Sequence, residues 1–358
     1  MGRSDVDVTV VVPCYNTERF VDQALVSAEQ NASCNMEILA INDGSTDGSL
    51  DILRAHAARD RRVRVIDKPN EGYGATVNCG IDEARGTYVA VLEPDDYVLP
   101  RTYDCLFDLA SAHAMPDVVK SAYWRTLSDG SGDGMRAYGY LHGRVSRVNE
   151  RIRLADEPQL IQYHPAIWSA LYAREFLNRE HIRMKEVPGA SWVDNPFCVE
   201  TLVAARSIVY TDDAYYCYRE DLAGASSAHA TSRMMIDRWN DREDVLDARG
   251  IADEGIRRAN VIVGLRFLSA MLSMDVLQDD ALAQDVHAMA RRMDPRLVRD
   301  VHCISPGVVA EALRLGDREI HGLSKARYAM HLAQESAWAV HYNGIRFLAH
   351  NLALARRR

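Results

Sequence analysis

Glu93, Pro94, Asp95 and Asp96 stand directly after the apolar run "VAVL" at 89–92, and apolar residues resume with Tyr97 and Val98. Three carboxylates in four positions repel one another unless a cation or a polar ligand sits among them. An oxygen-rich cluster of this kind suits Mg²⁺ or Mn²⁺, which bind through one or two carboxylates and fill their shell with substrate phosphates. The bland alternative is a solvated turn in which Pro94 ends a strand and Asp95 caps a helix. A second acidic tip is Asp43, in "NDGSTD", where a carboxylate could accept an N–H from a base ring. Ser45, Thr46 and Asp47 behind it are ordinary helix-capping residues. A third acidic position is Asp194 in "SWVDNPF". Asn195 and Pro196 after it read as a helix start, in which Asp194 would serve the helix dipole.

The elements that must position these residues alternate regularly over the first hundred positions. "VDVTVVVP", "MEILAIN", "RVRVID" and "GTYVAVLE" read as strands; "TERFVDQALVSAEQ", "DGSLDILRAHAAR" and "GATVNCGIDEAR" read as helices between them. That alternation predicts a parallel sheet of the α/β class, whose ligands bind outside the carboxyl ends of the strands. "PCYN", "NDGSTD", "DKPNEGYG" and "EPDD" all fall on that one rim. From Leu99 to about Tyr218 the pattern is mixed, with "PDVVKSAYW" a strand, "GDGMRAYGYLHGRV" an antiparallel ribbon, "NPFCVETLVAA" a helix and "SIVYTDDAYYCYRED" a strand with a turn. Beyond about Ala230 only helical patterns remain. The small, polar "AGASSAHATS" suits a linker, so a sheet-bearing domain over 1–225 and a helical one over 226–358 are expected.

Bulk properties narrow the function. At 358 residues with 47% hydrophobic content the chain can bury a sizeable core. A net charge of −9 argues against nucleic acid as a partner. Seven scattered cysteines with no CxxC pair read as reduced thiols. The opening "MGRSDVDVTVVVP" enters a strand at once without a signal-peptide run, and no apolar stretch reaches the ~18 residues of a membrane span. A cytoplasmic protein is expected, at most attached to the inner face of a membrane. The terminal "ARRR" would suit anionic lipid, although basic residues also complement a helix C-terminus. "GYGATV" has Val77 where a dinucleotide fingerprint needs its third glycine, and it follows the third strand, so it does not mark a nicotinamide site.

From about Val8 to Val98 the chain resembles the inverting nucleotide-sugar glycosyltransferases of family 2, which have the GT-A fold. Five motifs occur in order: Pro13, Tyr15 and Asn16; Asp43, Gly44 and Ser45; Asn70 and Gly72; Asn78 and Gly80; and the acidic Glu93 to Asp96. The resemblance implies that Pro13, Tyr15, Asn16, Asp43, Asn70, Gly72, Asn78, Glu93 and Asp95 line a nucleotide-sugar site. It places Asp43 at the base, Asp95 near the ribose or sugar, and Asp96 on a Mg²⁺ or Mn²⁺ ion. Glu93 and Pro94 depart from the commoner "DSDD" or "DADD". Downstream, Asp194 matches the family's catalytic base, with Val193 in place of the usual Glu or Gln. "HPAIWSALYAREF" is similar to the segment below the acceptor groove, which makes His164 and Trp168 acceptor contacts. The implied reaction moves a sugar, from a UDP-sugar, to a hydroxyl of a glycan or glycolipid in surface polysaccharide or glycoconjugate synthesis. The helical C-terminal third would shape the acceptor side or mediate self-association. Two other readings stand beside it: a nucleotidyltransferase, which would want a basic Gly-rich loop after the first strand, and a nucleotide-sugar-binding protein without turnover.

Overall fold

The computed structural model describes residues 6–31, 34–127, 135–189, 192–220 and 230–355, with backbone only for 350–355. The expected linker falls largely at 221–229 and the terminal arginines at 356–358, outside the described residues. The strands are β1 (Val8–Cys14), β2 (Met36–Asp43), β3 (Val63–Lys68), β4 (Tyr88–Val91), β5 (Tyr97–Val98), β6 (Val118–Leu127), β7 (Met135–Tyr138), β8 (Arg151–Ile152), β9 (Ala170–Ala173) and β10 (Ile208–Arg219). They form one sheet ordered β3-β2-β1-β4-β9-β6-β10-β5, with β7 on β6 and β8 on β10. β1 pairs in parallel with β2 and β4, and β2 with β3, as strand–helix alternation requires. The helices between them are α1 (Val21–Glu29), α2 (Ser49–Arg59) and α3 (Tyr73–Glu83). Past β5 come α4 (Thr102–Ala112), α5 (Arg174–Arg179) and α6 (Asp194–Ala204).

β1 and β2 are buried along their whole length, which is why they read as unbroken apolar runs rather than alternating ones. The sheet turns antiparallel at β9, which lies between β4 and β6. Sequence patterning had no strand there, because four residues, Ala170–Ala173, carry no period of their own. The "strand with a turn" at 208–219 is a single strand with register shifts between Thr211 and Ala214 and between Ala214 and Tyr216.

After residue 230 the described chain is helical: α7 (Ser232–Ala248), α8 (Glu254–Ser273), α9 (Asp280–Arg292), α10 (Pro295–Arg299), α11 (Pro306–Leu315) and α12 (Lys325–Ala355). Thr231, Asp253, Asp279, Asp294 and Ser305 cap α7 to α11 through their side-chain oxygens. Gly344, at φ 78°, breaks α12 into two helical pieces. These helices have an apolar core around Trp239, Leu265 and Leu313. Yet Leu246, Ile256 and Ala259 of α7 and α8 belong to the apolar core of the sheet, so the helices are packed onto it. No helix among the described residues is long and apolar enough to cross a membrane.

Candidate functional site: an acidic rim closed by an aromatic wall

The turn that carries the acidic cluster is held by strand ends on both sides. Leu92 N–H donates to Val11 O (2.9 Å) and Asp96 N–H to Glu93 O (3.1 Å), which turns the chain from β4 into β5. β10 then closes over it. Tyr216 accepts from the Glu93 N–H (3.1 Å) and donates to Asp96 Oδ2 (2.9 Å), while Arg219 N–H donates to Asp96 Oδ1 (2.7 Å). Both oxygens of Asp96 are therefore taken, and the residue is only 1% exposed. Asp95 differs: its backbone carbonyl accepts from the Arg219 guanidinium, but its half-buried carboxylate has no other residue's donor among the described residues. The metal role expected of Asp96 would require it to exchange one of these bonds for the ion. Asp96 anchors the turn to β10, and Asp95 presents the free carboxylate.

Burial and mutual repulsion push these acids toward their neutral forms. Burial raises Glu93 to about 8, with Asp95 and Asp194 adding to the rise, while a hydrogen bond from the Tyr73 hydroxyl works against it. Burial also raises Asp95, against the pull of Arg219, and raises Asp96 well above the usual carboxylate range with Asp95 contributing. Asp194, brought into the same charge cluster by the head of α6, is raised to about 6, again mainly by burial. A site of partly neutralised acids is one that a cation would recharge. Among the described residues no three His, Cys, Asp or Glu side chains form a protein-only metal cage. The donor set fits instead a divalent ion held by Asp95 and completed by phosphate oxygens, the mode that hard, strongly hydrated cations favour.

The neighbouring rim is laced together by its own polar groups. Asn16, at φ 53°, donates its N–H to Ser45 Oγ (3.0 Å) and accepts the Thr46 N–H (2.8 Å), joining the turn after β1 to that after β2. Tyr15 next to it is 51% exposed, an open ring at the mouth. Pro13 lies within β1, paired with Ile41 and buried. Asp43 is 2% exposed and receives Lys68 and the backbone N–H groups of Glu71 and Gly72 (3.0 Å each). In the structure it holds the 69–72 turn; a base N–H would be a further bond on an already occupied carboxylate. Asn70 is exposed and donates to Asp43 O (3.0 Å). Gly72 has φ 92°, and a Cβ there would meet Val187 O at 2.7 Å, so its backbone conformation and close approach require glycine.

Asn78 is engaged within the fold. It is 5% exposed, donates to Met184 O (2.8 Å) and Glu186 Oε1 (2.9 Å), and accepts the Met184 N–H (2.7 Å). Its amide ties α3 to the segment that leads to Asp194. It therefore acts on the site from behind.

Opposite the acids stands an aromatic wall. Trp168, 5% exposed, stacks on Tyr216 (4.1 Å, 19°) and on Tyr218 (5.3 Å, 22°), with Tyr123 edge-on at 4.8 Å. His164 lies 5.3 Å from Tyr218 and accepts the Ala166 N–H on Nδ1 (3.0 Å); burial lowers its pKa to about 4, so it is neutral at physiological pH. Lys120, fully buried beneath, donates to Pro165 O and Ala166 O and fixes this corner. Trp168 is thus buried within the wall, and His164 is the more exposed of the two. Sequence reasoning missed Tyr73, Tyr216, Tyr218 and Arg219. The alternation in "YYCYR" was the available signal, since it puts Tyr216 and Tyr218 on one face of β10.

The sheet order, the acidic turn after β4 and the helix-borne carboxylate facing it define the GT-A class of fold. That class is supported by S. aureus TarS 1-349, solved with UDP and with UDP-GlcNAc. The two structures align with TM-scores of 0.66 and 0.67 at 16% identity, over 93% of this chain and 92% of TarS 1-349. Residues 9–163 match the sequence profile "Glycosyl transferase family 2". The chain is also similar to the glycosyltransferases EpsJ (31% over 226 residues) and EpsH (41% over 217 residues) of Bacillus subtilis (strain 168). The alignments cover 60% of this chain, and the chain spans 61% of the length of each of these relatives. Over residues 9–163 the chain thus carries the sequence profile of the family 2 glycosyltransferases.

Proposed function

We propose that this protein transfers a sugar from a UDP-sugar to a hydroxyl of a glycan or glycolipid acceptor, with inversion at the anomeric carbon, in surface polysaccharide or glycoconjugate synthesis. The observation that carries the reading is the free carboxylate of Asp95 on a rim that also brings in Asp194 from the head of α6. The UDP complexes of TarS, which shares the fold, favour UDP as the nucleotide.

In this reading the exposed Tyr15 ring stacks on the base, with Asn16 and Asn70 beside it. The diphosphate lies against Asp95, and Arg219 adds positive charge there. Asp95 would hold a Mg²⁺ or Mn²⁺ ion, which would supply Lewis-acid stabilisation of the leaving diphosphate. Asp194, with a pKa of about 6, is ionised at neutral pH and takes the proton of the acceptor hydroxyl as its oxygen attacks the anomeric carbon from the face opposite UDP. The O–H proton passes to Asp194, the C–O bond to the acceptor forms, and the bond to the diphosphate oxygen breaks. Trp168, Tyr216 and Tyr218 offer a largely dry wall for the sugar, and His164 a neutral polar contact for the acceptor. Glu93, held by Tyr73, sets the shape of the turn. We place the boundary between the catalytic part and the helical part at 225/226.

UDP release from a panel of UDP-sugars, with and without Mn²⁺, tests the reading. Turnover that requires the metal and disappears in Asp194→Asn is the expected result. Undiminished turnover in Asp194→Asn sinks the assignment of the base.

A further inference from the structure

We infer that the C-terminal helices α7 and α8 position the base, with Arg242 as the buried cation behind Asp194. The inference rests on the reading of Asp194 given above and extends it to a region that carries none of the family's motifs. The chain that presents Asp194 is gripped from the helical side along its length. Lys185 pairs with Asp241 of α7 (2.7 Å), and Glu200 of α6 pairs with Arg249 at the C-cap of α7 (2.9 Å). Trp192, two residues before the base and at φ 52°, lies 5.8 Å from Phe267 of α8 at 33°. A non-glycine residue at positive φ persists only where its surroundings fix it; the Phe267 ring and the apolar core of the helices supply that hold.

Arg242 lies at the centre of this grip. It is 1% exposed, donates Nε to Asn260 Oδ1 of α8 (2.8 Å) and Nη2 to Ile161 O (2.8 Å), and forms no ion pair among the described residues. A buried guanidinium without a paired carboxylate is costly, so nearby negative charge is favoured. The titratable groups around Asp194 are Glu93 after β4, Tyr73 of α3, Tyr172 of β9, Cys198 of α6, Tyr218 of β10 and Arg242 of α7, and burial holds the tyrosines and the cysteine in their neutral forms. Arg242 is the cation of that set. Together with the Asn195 hydrogen bonds, it opposes the burial that pushes Asp194 upward. The helices thereby keep the base ionised as well as in place.

The test uses the full chain with Arg242→Met and Arg242→Lys. UDP-glucose, UDP-galactose and UDP-GlcNAc serve as donor probes, and UDP with Mn²⁺ as the binding probe. In Arg242→Met the acidic limb of kcat/KM should move up by about one pH unit, the usual reach of a nearby opposite charge. Arg242→Lys should restore part of that shift, and UDP affinity should stay within about twofold of wild type in both. A purely structural Arg242 would leave the limb where it was, and an unmoved limb in a variant that still binds UDP overturns the inference. Should Arg242→Met not fold, Phe267→Leu decides. A fall of about tenfold in kcat with donor KM preserved supports the grip, and an unchanged kcat overturns it. Turnover surviving in Asp194→Asn would instead remove the base itself, a separate failure with a separate readout.

Discussion

At the residue scale, adjacent aspartates have opposite duties, and nothing local to "EPDD" distinguishes them. The difference comes from Tyr216 and Arg219, more than a hundred positions away, which occupy both oxygens of Asp96 and leave the carboxylate of Asp95 free. Asp95→Ala is expected to abolish metal-stimulated UDP release while leaving the melting temperature nearly unchanged. Asp96→Ala leaves a buried tyrosine hydroxyl and a backbone N–H unpaired, and should cost about 2 kcal/mol in denaturant melts. Equal effects of the two on stability would refute the division of labour. Asp194 makes a second prediction. Its pKa is raised from 3.8 to about 6, so the folded state binds the extra proton between those values. The native state is favoured at low pH and loses that advantage as pH rises through about 6. Asp194→Asn should accordingly stabilise the protein at pH 8, by up to about 3 kcal/mol, and have little effect near pH 4. Thermal melts at the two pH values check it.

At the element scale, the first four strands and three helices were legible because each is long enough to display its period and each turn between them is polar. β9 was not, since a short buried strand gains its identity from β4 and β6 on either side. The same limit governed Asn78, which the resemblance placed at the ligand, and Gly80 of the same motif. In the structure both are buried on α3, Asn78 against the 184–186 segment and Gly80 against β1. A Cβ on Gly80 would stand 2.3 Å from Val11 Cγ1, so Gly80→Ala must push α3 away from the central strand β1. Overpacking of this kind costs about 1–3 kcal/mol. Asn78→Ala instead cuts three bonds to Met184 and Glu186 and frees the approach to Asp194. Its expected signature is a lowered kcat with near-normal UDP affinity, whereas Gly80→Ala should lower stability first. Calorimetric UDP binding alongside turnover separates the two.

At the scale of the whole molecule, the helical third was legible only as helical. Whether it was a detached module or part of the catalytic body depended on long-range packing that no periodicity records. α7 and α8 join the core of the sheet, but α12 is attached differently. It is joined to the body by Arg144 with Glu335 (2.6 and 2.8 Å), Trp338 Nε1–H to His142 O (2.9 Å) and Tyr138 N–H to Asn343 Oδ1 (2.6 Å), and by a small apolar cluster in which Ala339 and the buried Phe347 pack with Leu127 and Ala137. The Arg144 guanidinium lies 4.3 Å from the Trp338 ring, so one arginine serves both an ion pair and a cation–π contact. Beyond that patch Met330, Leu332, Val340 and Ile345 are exposed. A helix whose apolar cluster is this small and separate from the main core should open locally without unfolding the rest, because local stability follows buried contacts and protected hydrogen bonds. Trp338→Ala is therefore expected to speed amide exchange across 325–343 by at least about tenfold, with the main melting transition moved by no more than about 2 °C. Loss of the main transition along with the exchange protection would show α12 to be an integral part of the folded core.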